Sequence, residues 1–140
     1  MTAMRWVLLA VLVGFGIHWW MQRSEERSMR VAMDEYGFLP VPMPNGAQAN
    51  QVLLFAPLNC PREGAQRANA LADRLSAAGI PNLRTAEYRL QGAAATADLR
   101  NAVKRLSFVM TGEIPIALVN GMGRANPTAE EIIAEYNKTR

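Results

Sequence analysis

The first strong pattern in the chain is an apolar run from Trp6 to Met21 that no charged residue interrupts. As a helix, at about 1.5 Å per residue, this run is about 24 Å long, against roughly 30 Å for the hydrocarbon core of a bilayer. Including Met1 to Met4 lengthens it, with Arg5 reaching back to the interface. Trp6 at one end and Trp19-Trp20 at the other match the aromatic belts of a spanning helix. No small-x-small cleavage site follows, as a secretory signal peptide requires; the run continues into His18-Trp19-Trp20-Met21-Gln22-Arg23. The pattern predicts an uncleaved single-pass transmembrane anchor over residues 1–22, in a bacterial-type inner (plasma) membrane. The bilayer is then a partner through residues 6–21. A short N-terminal tail places the rest of the chain outside the cytoplasm, while Arg23, Arg27 and Arg30 pull the other way.

Residues 23–50 read as a helical stalk followed by a proline-rich linker. Gln22 to about Tyr36 has helical composition. Pro40, Pro42 and Pro44 then alternate, and each disfavours helix at the residue before it. The expectation is an extended, semi-rigid spacer. Its apolar residues Phe38, Leu39, Val41 and Met43 offer the alternative of docking on the domain or a partner.

From Gln51 the pattern changes to short alternating elements. Val52 to Ala56 is a continuous apolar run, as for a strand covered on both faces. Ala65, Ala68, Leu71, Ala72, Leu75 and Ala78 recur at gaps of three and four, one face of a helix that Gly79 closes. Asn82 to Leu90 reads as a second strand, and Thr96 to Leu106 as a second helix. Pro115 to Val119 is a third strand, and Asn120-Gly121 is a hairpin signal leading to a fourth near Met122 to Ala125. Asn126 with Pro127 opens a last helix, whose buried face is Ile132, Ile133 and Tyr136. Glu130, Glu131 and Glu135 read as its solvated face. The order predicts an α/β domain over residues 51–140 with a mixed four-stranded sheet.

The net charge of +3 comes from scattered, mostly arginine residues with no dense basic block, which argues against a nucleic-acid partner. A protein partner is expected. The chain holds one cysteine, Cys60, and one histidine, His18. An intramolecular disulfide and a cysteine-rich zinc site are therefore excluded, and no metal or other cofactor is expected. Cys60 lies between an apolar strand and the first turn of a helix. There the unpaired N–H groups and the helix dipole stabilise a thiolate. Arg62 adds to that effect and Glu63, one turn away, opposes it.

The segment Phe55-Ala-Pro-Leu-Asn-Cys60-Pro61-Arg62-Glu63 resembles the strand, loop, Cys-Pro-x-Cys and helix of the glutaredoxin branch of the thioredoxin fold. Ile114-Pro115-Ile-Ala-Leu-Val-Asn-Gly is similar to that family's Val-Pro-x-Val-Phe-Ile-Asn-Gly, in which the proline is cis and faces the active cysteine. The resemblance covers Gln51 to about Tyr136. It implies a thioredoxin-like three-layer α/β/α sandwich behind the anchor, with Cys60 and Pro115 as candidate catalytic residues. It also implies that the backbone before Pro115 is free to pair with an extended substrate. The chain departs from the family at Glu63, which stands for the second cysteine, and at Arg124-Ala-Asn-Pro, where the residues that hold glutathione would be. Two readings remain. One is monothiol disulfide exchange or thiol sensing through Cys60, with a resolving thiol from a partner or from glutathione, the one cofactor this reading leaves open. The other is a redox-inactive binding or scaffold module for a membrane-associated complex.

Overall fold

A computed structural model describes residues 2–58, 62–92 and 96–140. The chain divides into two compact units, Met1–Ala32 and Met33–Arg140. The first is a single helix, α1 (Thr2–Ala32). Among the described residues, no helix is long and apolar enough to cross a membrane. The uncharged stretch stops about 6 Å short of a hydrocarbon core. It ends in Trp19, Trp20 and Met21, and the helix runs on without a break through Arg23, Glu25, Glu26 and Arg27. The expected anchor is corrected accordingly. With it go the bilayer as partner, the single-pass inner-membrane location and the placement of the rest of the chain outside the cytoplasm.

The second unit is built on a mixed sheet of five strands, not four. These are β1 (Leu39–Pro40), β2 (Val52–Phe55), β3 (Asn82–Thr85), β4 (Ile116–Val119) and β5 (Met122–Ala125), in the spatial order β1-β5-β4-β2-β3. Strands β2 and β3 are parallel, while β2–β4, β4–β5 and β1–β5 are antiparallel. The helices are α2 (Glu63–Ala77), α3 (Ala97–Met110) and α4 (Ala129–Thr139). This α/β/α arrangement is consistent with a thioredoxin-like sandwich.

Period-2 geometry explains why β2 and β4 are apolar throughout. Val52, Leu54, Ala117 and Val119 pack with Leu75 of α2 and with Ile132 and Tyr136 of α4. Leu118 points the other way, onto the α3 side, where a Cβ at Gly123 would crowd Leu118, Val41 and Val109. Gly79, at φ +73°, lets the chain leave α2, with its N–H bonded to Ser76 and the Ile80 N–H to Leu75. The hairpin forms at Asn120-Gly121, both with positive φ.

The fifth strand comes from the proline-rich segment. Phe38 is 0 % exposed and belongs to the main core. Leu39 pairs with Gly123, Pro40 with Met122, and the Val41 N–H donates to Gly121. The segment is therefore part of the fold, and the spacer expectation is corrected. A sheet edge suits it, because proline cannot donate to a ladder on both sides. The last helix also starts later than expected. Asn126 sits at φ +48° in the preceding turn, and Thr128 caps α4 in a capping box with Glu131.

Candidate functional site

Cys60, the expected nucleophile, and its neighbours Asn59 and Pro61 lie outside the described residues. The start of α2 and the segment around Pro115 are described. The Ile114–Pro115 peptide bond is cis. Helix α2 begins at Glu63, and its next residue, Gly64, lies under Ile114; a Cβ there would come within 2.5 Å of the Ile114 side chain. One turn on, Arg67 ties the two segments together. It donates to Glu63 at 2.9 Å, to Glu113 at 2.6 Å and to the Ile114 carbonyl at 2.7 Å. Asn126 closes the bracket, its side chain donating to Glu113 and its backbone N–H to the Pro115 carbonyl.

This geometry changes the reading of the face. Of the backbone expected to stay free before Pro115, the Ile114 carbonyl is taken by Arg67, and after it the Pro115 carbonyl is taken by Asn126. The Glu63 carboxylate, which stands where a second thiol would be, is paired with Arg67. The described residues thus form a brace between α2 and the loop entering β4. Its contribution is checked by Gly64→Val. Overpacking against Ile114 is expected to cost about 1–3 kcal/mol in urea unfolding; an unchanged midpoint would show that the close approach is not needed.

A different part of the unit holds an open cleft. Met33, Gly37, Leu39, Phe108, Val109, Thr111, Gly112, Arg124 and Ala125 enclose an open cleft of about 460 Å³. Its walls are the C-terminal half of α3, the end of β5 and the turn before β1. Phe108 is 47 % exposed, a large ring left uncovered. Two glycines let the walls approach. A Cβ on Gly112 would lie 2.4 Å from the Ala125 Cβ, and Gly37, at φ +74°, lies against the Arg124 guanidinium. Arg124 is held on one side only. Its Nη1 donates to the Tyr36 carbonyl and pairs with Glu131 at 2.8 Å. Burial alone would raise the Glu131 pKa, but the Thr128 N–H and Arg124 together hold it below the usual range.

The turn that supplies Gly37 also carries an ionisable cluster. Asp34 accepts hydrogen bonds from the N–H groups of Tyr36 and Phe38 and from Lys138 at 2.8 Å. Facing it from α4 is Glu135, which is 0 % exposed, so its expected place on a solvated face is corrected. Among the described residues, neither Glu135 carboxyl oxygen has a hydrogen-bond partner, and Lys138 stands 3.7 Å away. Two acceptors facing each other need a proton between them. Burial first, then Asp34, pushes Glu135 up to about 7. Burial also acts to raise Asp34, but the facing Glu135 carboxyl, which carries the proton, together with Lys138 and the Phe38 N–H prevails and brings it to about 2. The signal was present in the sequence: Ile132, Glu135 and Tyr136 follow the three- and four-residue spacing of one helix face.

No family model, curated protein or solved structure matches the chain. The glutaredoxin resemblance carried by Cys60-Pro61 and Ile114-Pro115 therefore has no support from relatedness, and the chain is not assigned to that family. Glutaredoxin-type activity at a membrane loses its basis as well. The chain holds one cysteine, and among the described residues no helix is long and apolar enough to cross a membrane and no group of three or more His, Cys, Asp and Glu side chains gathers to hold a metal ion.

Proposed function

We propose that the unit of residues 33–140 is a binding module for a small organic ligand with an apolar body, held in the cleft between α3, β5 and the turn before β1. The observation that carries this reading is the cleft itself: about 460 Å³, walled by Met33, Leu39, Phe108, Val109 and Ala125, with one guanidinium among them. That size and lining are what small-molecule sites have, namely an apolar surface for affinity and a few polar groups for orientation. The cleft is also shaped by residues that do little else. Gly37 and Gly112 keep its walls close, and Phe108 remains uncovered although an exposed ring of that size gains from burial.

The Cys60 side of the unit supports binding less well, because its loop carbonyls are already used internally. On this reading Cys60 is not required for ligand binding. The test is a titration of the full chain with octanoate, followed by backbone amide shifts in the wild type and in Cys60→Ser. Shifts at Gly37, Gly112 and Ala125 in both proteins are expected. Shifts confined to Gly64, Arg67 and Ile114, or lost in Cys60→Ser, would move the site back to the cysteine.

A further inference from the structure

We infer that the ligand carries a carboxylate, or an equivalent planar anion, which Arg124 receives at the floor of the cleft; this rests on the binding reading above. The hydrogen bond and the ion pair that Arg124 makes among the described residues both run through Nη1, to the Tyr36 carbonyl and to Glu131. Among the described residues, the edge formed by its Nε and Nη2 makes no hydrogen bond or ion pair. That edge is the pair of parallel N–H donors that matches the two oxygens of a carboxylate.

The guanidinium is fixed before any ligand arrives. Gly37 packs against it, with the position of a Cβ only 3.4 Å from Cζ and from Nη1. The Tyr36 carbonyl and Glu131 hold the opposite edge. Glu131 is itself held in place, because its second oxygen accepts from the Thr128 N–H of the capping box. A fixed cation loses little freedom on binding, so more of the interaction appears as affinity. The surrounding apolar wall lowers water access and strengthens the contact.

Glu131 offsets part of the Arg124 charge, and this sets which ligands fit. A dianion would be repelled by the nearby carboxylate, whereas a single carboxylate on the free edge completes the fork without approaching it closely. The structure thus points to a monoanionic amphipathic molecule, with one carboxylate and an aliphatic or aromatic body lying along Phe108, Val109 and Leu39.

Octanoate and octan-1-ol share a hydrocarbon chain and differ in the head group, so they separate the charge from the apolar contact. Amide shifts of the full chain are recorded against each compound at pH 7. Octanoate is expected to bind at least about tenfold more tightly than the alcohol, with the largest shifts at Gly37, Gly112 and Ala125. In Arg124→Gln the two dissociation constants should converge. Equal affinities in the wild type, with shifts at those same amides, overturn the carboxylate inference and leave the cleft as the site. Absence of shifts at those amides with either compound overturns the binding reading itself. The wild-type comparison needs no variant, so the result stands even if Arg124→Gln does not fold.

Discussion

Replacing Glu135 with glutamine raises the unfolding free energy by about 3 kcal/mol at pH 8, and by less than about 1 kcal/mol at pH 5. In the folded chain the Glu135 carboxyl titrates near 7 instead of 4.5. A group raised in this way gives its full contribution below its unfolded value, about 4.5, and loses it as the pH rises to its folded value, about 7. Above that, a fully buried carboxylate must be carried as an anion beside Asp34, offset only by the Lys138 ammonium at 3.7 Å. Glutamine keeps the shape, has no charge to titrate and can donate its amide N–H to Asp34, as the shared proton does. Asp34 works in the opposite sense. Its carboxyl is lowered from 3.8 to about 2, so its contribution is present above about 3.8 and disappears as the pH falls through 2. The pair therefore favours a stability maximum between roughly pH 4 and 5. The groups facing Glu135 are Asp34 from the turn before β1 and Lys138 from its own helix, with Glu35 on the far side of Lys138. Urea unfolding of wild type and E135Q at pH 5 and pH 8 checks this; parallel curves at the two pH values would contradict it.

The second large effect is expected at Phe38. Phe38→Ala should lower stability by about 3–5 kcal/mol, the usual cost of emptying a core aromatic site. The ring is 0 % exposed and packs with Val52, Leu54, Ile132 and Tyr136, among others. Were residues 37–46 a spacer, the change would fall within the scatter of surface substitutions, about 0.5 kcal/mol. The same variant bears on function, because Gly37 and Leu39 flank Phe38 and both line the cleft. Loss of Phe38 should loosen that wall and weaken octanoate binding even where the chain remains folded.

These two positions show where sequence pattern stopped being sufficient. The β2, β4 and β5 strands and the apolar face of α2 were legible, because continuous apolar runs and three- and four-residue spacing reflect burial directly. The hairpin was legible because Asn120 and Gly121 tolerate positive φ. Phe38 and Leu39 were not. A short edge strand between prolines has no period to detect, and only the partner residues Met122 and Gly123 define it. Glu135 was misread because its charge outweighed its place on the buried face of α4. The Thr128–Glu131 capping box was missed in favour of Asn126-Pro127, which looks like a helix start but forms the turn before it.

The candidate sites divide in the same way. Cys60 and Pro115 stood out because thiols and X-Pro pairs are visible in one dimension. The cleft did not, since Met33, Leu39, Phe108 and Arg124 are distant in sequence and meet only through the β1–β5 pairing and the packing of α3. Arg124 was noticed only as a departure from a family pattern. Its role depends on which guanidinium edge is occupied, which sequence does not show.

The most direct test of the proposed site is an intermolecular NOE measurement on octanoate bound to the full chain, with methyl groups of the protein selectively labelled. The cleft predicts NOEs from the alkyl chain to the methyls of Leu39, Val109 and Ala125, unchanged in Cys60→Ser. NOEs to Leu58 and Ile114 in their place, or to the methyls of α1 alone, would contradict it.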